Sequence, residues 1–461
     1  MSRSLRRLLP LAVAVAAVPV LALPAVPAGA VTYGTPTITF SAGYLSGAVG
    51  ATGDPAVTVT VAQSGASASA LTVAASATTR SAVARTGDVT VTGSGGTRTL
   101  AVAARGVGYA DLTIKVTGLG GKSATRTLHY AASPAVQYAA TSRYLTGSSD
   151  ASAAVDAGGG YIVVGDDESN TLRLYDRDRS GAPVRTWDFS SALGVSKEID
   201  IEGATRVGDI IYWTGSLGNN KDGVIKPDRH TVFATTVTGS GAGTQLSLAG
   251  SFDSLRDDLI AWDDAHGKRY GFAAGAADGQ APKQVDGFNV EGLEFAPGST
   301  STAYVGFRAP LTPAVTGGRA LLVPVTNLPS LLTGSAAHAA FGDPIELDLG
   351  GLSVRDIRRN DLGQYLIVAG SWSAEDNSAP YALYRWDGRP GSRPTKLTDL
   401  PTSDYGAWEA VVDVPDLDAP GARAQLITDD GSADLYGDAT AAKDLTHPEW
   451  KKSRSTWFTL N

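Results

Sequence analysis

This sequence predicts an all-β protein in two parts, an immunoglobulin-like β-sandwich over residues 31–133 and a β-propeller of about six blades over 134–461. Three observations carry that prediction. No stretch sustains a helical period, residues 31–133 break into short alternating runs, and a strand-sized motif recurs several times beyond Pro134.

The first 30 residues read as a secretory leader. Arg3, Arg6 and Arg7 precede an apolar run from Leu8 to Val26, and Ala28-Gly29-Ala30 supplies the small residues of a cleavage site. Pro10, Pro19 and Pro24 interrupt the run, which argues against a membrane span. The expected mature protein is secreted, cleaved near Ala30, not membrane-spanning, and a monomer.

Residues 31–133 contain no Trp and few acids, and they are rich in Ala, Val, Thr, Ser and Gly. Strands are expected at Thr37–Phe40, Val57–Val61, Leu71–Val73, Val89–Val91, Leu100–Val102, Leu112–Val116 and Thr127–Tyr130. Short strands spaced by Gly, Ser and Asp turns are the pattern of a sandwich. The change in composition at Ala131-Ala132-Ser133-Pro134 marks the expected boundary, and all eight Trp lie beyond it.

Beyond that boundary the repeated unit is an acid-bearing strand followed by an apolar strand that ends in Gly or Asp. The apolar strand is clear at Tyr161–Gly165, Ile211–Gly215, Ala303–Gly306, Tyr365–Gly370 and Gln425–Asp429, with a weaker copy at Tyr270-Gly271-Phe272. Units of this size suggest the four-stranded blades of a propeller. The final run Ser455–Leu460 is expected to close the ring against Val136 or Arg143-Tyr144-Leu145.

Chemistry concentrates in residues 198–230. Glu198, Asp200 and Glu202 alternate with Ile199 and Ile201, so a strand there would put three acids on one face. Comparable strands carry Asn289 and Glu291, then Asp356, then Glu409 and Asp413. The innermost strands of a propeller line its channel, where such acids would converge, and crowded carboxylates repel unless a cation offsets them. Hard oxygen ligands suit Ca²⁺ or Mg²⁺, which makes Glu198, Asp200, Glu202, Glu291, Asp356 and Glu409 candidate metal ligands. The loop after Trp213 adds Asn220, Lys221, Lys226 and Arg229, a set able to hold a phosphate or carboxylate.

These motifs resemble a known family. Asp200-Ile201-Glu202-Gly203, Trp213-Thr214-Gly215-Ser216, Asn220-Lys221-Asp222-Gly223 and Pro227-Asp228-Arg229 are similar to stretches of the secreted bacterial propellers filed as domain of unknown function 3616. So are Asn289–Leu293, Gly306–Leu311, Ala320–Val325 and Arg355-Asp356-Ile357, and the likeness covers about residues 140–461. Its motifs add Arg308 and Arg355 to the candidate ligand contacts. The Glu-Gly strands also look remotely like esterase-like phytase propellers, a resemblance that implies a metal-dependent phosphoester hydrolase. The segment Gly108–Thr117 resembles a strand of bacterial immunoglobulin-like or cadherin-like modules.

Composition excludes several classes. With no cysteine there are no disulfides, thiolate nucleophiles or Cys-zinc sites. The formal charge is −8, and removing the three leader arginines, with no acid beside them, takes it to −11. So acidic a chain is a poor partner for nucleic acid. The five His lack zinc-hydrolase spacing, and no G-x-S-x-G elbow or P-loop occurs. Two expectations remain. One is a secreted binding protein that takes an anionic small molecule or extracellular polymer at an acid-lined mouth, through a divalent cation. The other is a metal-dependent phosphoester hydrolase with Glu202 and Glu291 as catalytic groups. A paired-carboxylate glycosidase on Glu202 and Glu291 is also open.

Overall fold

The computed structural model describes residues 31–77, 82–312, 318–373, 380–402 and 405–460. Residues 1–30, where a leader was expected, lie outside the described residues. Among the described residues the chain is all-β, built as seven four-stranded sheets.

Eight strands form the first two sheets: β1 (Thr37–Phe40), β2 (Tyr44–Ala48), β3 (Val57–Ala62), β4 (Thr72–Ala77), β5 (Val89–Thr92), β6 (Thr97–Val102), β7 (Gly108–Thr117) and β8 (Ser123–Ser133). Their orders are β1-β3-β6-β5 and β2-β8-β7-β4. β3 alternates buried Val57, Val59 and Val61 with exposed Thr58 and Thr60. Those valines share one core with Leu100, Leu112, Ile114, Val116 and Leu128 from both sheets. Each such side chain contributes roughly 1.5–3 kcal/mol when fully buried. β2 escapes a pattern reading because Leu45 to Ala48 are all buried, so no alternation marks it.

The remaining five sheets begin after β9 (Ser142–Thr146). The first holds β10 (Ala151–Gly158), β11 (Tyr161–Asp166), β12 (Thr171–Asp176) and β13 (Arg185–Asp188), and the second β14 (Ile201–Val207), β15 (Ile210–Gly215), β16 (Val232–Thr238) and β17 (Gln245–Phe252). In the third are β18 (Asn289–Phe295), β19 (Ala303–Thr312), β20 (Arg319–Val325) and β21 (Ile345–Leu347), and in the fourth β22 (Ser353–Arg359), β23 (Tyr365–Gly370), β24 (Tyr381–Trp386) and β25 (Thr395–Leu400). The fifth pairs β26 (Ala407–Val411), β27 (Arg423–Asp429) and β28 (Lys452–Thr459) with β9, in the order β26-β27-β28-β9. The final strand thus pairs with Ser142–Thr146, as the sequence suggested.

Within each of these sheets the strands run as an antiparallel meander. The first strands of successive sheets pack on one another: β10 on β14, β14 on β18, β18 on β22, β22 on β26, and β26 back on β10. Their neighbours are buried on both faces, which is why runs such as Tyr365–Gly370 are apolar throughout.

Five such sheets are present among the described residues, where about six were expected. The surplus copy at Tyr270-Gly271-Phe272 is not a strand; Phe272 opens a short helix, Phe272–Gly275. Just before it lies an 11-residue helix, Leu255–Ala265, that the sequence reading did not foresee. Its buried Leu255, Leu259 and Asp263 recur every four residues, a period too brief to stand out. Among the described residues no helix is long and apolar enough to cross a membrane.

The two parts share core. Ala131 of β8 packs with Leu435, Tyr436, Ala442 and Leu445, and Ala48 of β2 with Val136 and Tyr144. Fully buried Lys452 donates to the carbonyl of Gly47.

Candidate functional site

Each of the five first strands carries an irregularity at the same place, and β10 and β18 carry a second one elsewhere. Pairing skips Ser152 in β10, Glu202 in β14, Glu291 in β18, Arg355 in β22 and Glu409 in β26. A bulge of this kind sets two residues against one on the partner strand and re-aims a side chain. All five lie near the start of their strands, and all five are buried. The result is a ring of Ser, Glu, Glu, Arg and Glu at one mouth of the assembly.

One side of that ring is ion-paired. Arg355 Nε lies 2.9 Å from Oε2 of both Glu291 and Glu409, and its hydrogen is directed at Glu409. Arg355 Nη2 also reaches Glu409 Oε1. Arg308 Nη1 donates to Glu291 Oε1 at 2.9 Å, while its Nε and Nη2 serve the carbonyls of Trp372 and Ser373. Burial works against ionised Glu291, but Arg355, Arg308 and Lys283 outweigh it and hold its carboxyl below the usual range. For Glu409 burial wins, and its carboxyl is raised despite Arg355.

The other side is compensated only in part, by Arg229 beside Asp200. Asp167, Asp200 and Glu202 each present a carboxylate oxygen within 4.8 Å of the others. Glu202 is 3% exposed and Asp200 7%. Glu202 Oε1 and Asp167 Oδ1 are buried with no hydrogen-bond partner among the described residues. Burial pushes Glu202 well above its ordinary pKa, and Glu291 and Asp200 push it further. Asp167 is raised well above its own by burial, then by Asp429 and Glu202. Asp200 is raised too, although Arg229 Nη1 donates to it at 2.7 Å.

The expected alternation of three acids along one strand does not hold. β14 begins only at Ile201, and Asp200 takes a positive φ of 60° that turns the backbone just before it. Glu198 therefore faces Arg229 Nη2 at 3.2 Å at the rim rather than joining Glu202. Asp356 is also displaced from its expected place among the metal ligands. Its two oxygens accept from the backbone N–H groups of Ile357 and Val411, at 2.8 and 2.9 Å, and so stitch β22 to β26. Glu291 and Glu409 are engaged by arginines instead of standing open to a metal.

Arg358 ties three of the first strands together. Its Nη1, Nη2 and Nε donate to the carbonyls of Ala204, Ala154 and Val411, on β14, on β10 and at the end of β26. It also borders a cavity of about 520 Å³ lined in addition by Asp156, Arg206, Asp361 and Asp413. Arg177 binds Asp156 and Asp413 there, so Asp413 is far from the acid ring.

The polar loop of residues 215–229 folds on itself. Asn220 Oδ1 accepts from the N–H groups of Asp222 and Val224. Lys221 points outward, 88% exposed, with Asp222 as its ion-pair partner at 2.8 Å. Of the candidate anion contacts, then, only Arg229, Arg308 and Arg355 reach the mouth, and all three hold carboxylates.

Sequence reasoning missed Asp167, Asp429 and Lys283. The first two had a signal: Asp166-Asp167 and Asp429-Asp430 both end the apolar second strand of the repeat. Lys283 precedes β18, makes no ion pair among the described residues, and lowers the pKa of Asp200, Glu202, Glu291 and Asp429.

No family model matches the chain. No curated protein matches it. Among solved structures it is similar to a thermostable family-43 glycoside hydrolase, at 11% identity and a TM-score of 0.35, covering 68% of this chain and 90% of that one. It is also similar to Sqt1 from Chaetomium thermophilum (10% identity, TM-score 0.25, 81% and 77% covered). A third likeness is to the extracellular domain of a hybrid two-component system from B. thetaiotaomicron (10%, 0.26, 68% and 36%). Similarity this remote decides nothing about chemistry.

Proposed function

We propose that residues 134–461 form a five-bladed β-propeller preceded by an immunoglobulin-like sandwich, and that the acid mouth binds an anionic ligand through a divalent cation. The observation that carries this reading is the acid trio. Carboxylate oxygens of Asp167, Asp200 and Glu202 lie within 4.8 Å of one another, only Asp200 has an arginine beside it, and Glu202 Oε1 and Asp167 Oδ1 are buried without a donor among the described residues. Such a cluster is costly unless a cation or protons neutralise it. Asp167, Asp200 and Glu202 would hold that cation. Oxygen-only ligands in an irregular arrangement fit Ca²⁺ better than Mg²⁺, which demands near-octahedral geometry. When bound, the ion supplies a positive centre, and half-buried Lys283 adds a second charge beside it. An anion from a small molecule or an extracellular polymer would bridge the two.

Thermal melts test it. Ca²⁺ should raise the melting temperature by mass action on the native state. Glu202→Gln and Asp167→Asn should abolish the shift, whereas Glu198→Gln should retain it. A wild type indifferent to Ca²⁺ and Mg²⁺ would sink the proposal. Phosphate binding, titrated with and without Ca²⁺, should weaken in Lys283→Ala.

A second reading, metal-dependent phosphoester hydrolysis, is supported by one observation. Glu202 is raised and Glu291 lowered at the same mouth, and environments that split two carboxylates are what acid–base chemistry uses. Turnover of para-nitrophenyl phosphate that needs Ca²⁺ and disappears in Glu202→Gln would establish it. Absence of turnover in a Ca²⁺-binding wild type would leave the binding reading alone.

A further inference from the structure

A second concave site lies where the two parts meet, distinct from the acid mouth. It is a cleft of about 380 Å³ whose borders include Tyr109, Asp438, Thr440, Asp444, His447 and Trp450. Tyr109 comes from β7 of the sandwich, and the others from the long connection between β27 and β28.

The rings are held in place. Tyr109 OH donates to Asp438 Oδ2 at 2.8 Å, and its ring centroid lies 5.0 Å from that of Trp450 and 5.2 Å from that of Tyr436. His447 meets Trp450 edge-on at 5.0 Å and stacks on Tyr44 at 3.6 Å. Tyr109 nevertheless keeps 38% of its surface exposed. Fixed aromatic rings bring large contact area at little entropic cost.

The charged side chains that border the cleft itself are both acidic, while Lys443, Lys451 and Arg173 line the adjoining cavity on the other side of Asp444. Asp438 and Asp444 border the cleft, and no Lys or Arg does. Asp438 is occupied by Tyr109 and by the N–H of Thr440. Asp444 is exposed, and its carboxylate makes no hydrogen bond or ion pair among the described residues. Aromatic faces beside an uncommitted carboxylate suit a cation whose charge is spread over methyl or methylene groups, because the ring quadrupole attracts it and the carboxylate neutralises it. A compact metal ion would have to shed tightly held water to reach the rings, and an anion would be repelled.

We propose that this cleft binds a small organic cation with an alkylammonium head, seated against Tyr109 and Trp450 and paired with Asp444. The proposal is independent of the acid mouth.

Choline titrated calorimetrically against the full chain is the test. Parallel titrations use neohexanol, which has choline's shape without its charge, and methyl glucoside, which would use the same rings as a neutral sugar. Choline should bind, neohexanol at least about tenfold more weakly, and the glucoside not at all. Asp444→Asn removes no hydrogen bond or ion pair among the described residues, so the melting temperature should hold while choline affinity falls about fivefold. Tyr109→Leu should lower affinity further, and a melt shows whether it also loosens the junction of the two parts. No choline binding, equal binding of choline and neohexanol, preference for the glucoside, or an Asp444→Asn variant with wild-type affinity would each overturn the proposal.

Discussion

Three arginines show how differently one residue type is used in this molecule. Arg229 holds Asp200 and Glu198 at the rim, Arg355 holds Glu291 and Glu409 within the ring, and Arg358 donates to three backbone carbonyls while lying 3.6 Å from Asp356. Removing Arg229 leaves Asp200, 7% exposed, without its counter-charge. Arg229→Ala should therefore cost about 2 kcal/mol, read from urea unfolding. Lys221→Ala should change neither stability nor phosphate binding, because an exposed pair such as Lys221–Asp222 contributes ~1 kcal/mol at most. Arg358→Met orphans three carbonyls at once and should cost about 3 kcal/mol. None of this was legible in the sequence. Arg229 looked like an anion contact because its acid partners, though close in sequence, were assigned to a metal cation rather than to the arginine.

At the scale of the strand, the Glu-Gly pairs have a mechanical explanation. Glu202 and Glu291 are bulge residues, and each is followed by a glycine that lets the next strand approach. A Cβ on Gly203 would stand 3.1 Å from the carbonyl oxygen of Glu291 and 3.3 Å from the amide of Leu293, both backbone atoms of β18. Gly203→Ala should push β14 and β18 apart at a cost of about 1–3 kcal/mol, seen as a lower urea midpoint with an unchanged slope. The five clear copies of the apolar second strand were readable because both their faces are covered and Gly or Asp ends each. Bulges were not readable, since they depend on register against a partner strand. The alternation of Glu198, Asp200 and Glu202 misled for a related reason: β14 begins only at Ile201, and the positive φ of Asp200 turns the chain before the strand starts. The false copy at Tyr270 shows the same limit from the other side: Tyr-Gly-Phe suits a strand, but Gly271 with a φ of 69° stands at the start of a helical turn.

Over the whole molecule, buried titratable groups set the response to pH. Burial pushes Asp54 and Asp150 up to about 6, and Asp356 and Asp430 up to about 7. A carboxyl whose folded pKa lies above its unfolded value contributes stability that is complete below the unfolded value, about 4, and is lost as pH rises through the folded one. Lys452 works in another window. Burial, against the pull of Asp54 and Asp430, lowers it to about 7, so its cost is full below pH 7 and is relieved as pH rises toward 10.5. In chelator, the melting temperature should fall between about pH 4 and pH 7 and stop falling, or recover, above it. Lys452→Met should remove the recovery and keep the fall. A melting temperature that rises from pH 4 to pH 7 would show that these acids are ionised at no cost in the fold.

Strand β9 completes the last sheet although it precedes the first. Ser142 and Thr456, 314 residues apart, share a hydrogen bond of 2.8 Å between their hydroxyls. At ~5–20 residues per second a ribosome needs roughly 15–60 s to make the intervening chain. Throughout that interval β9 is synthesised but has no strand to join, and β10 lacks the neighbour, β26, that will flank it. The segment made first in the ring is thus the last to be seated, and a nascent chain stalled before Lys452 would carry an open seam along its whole length.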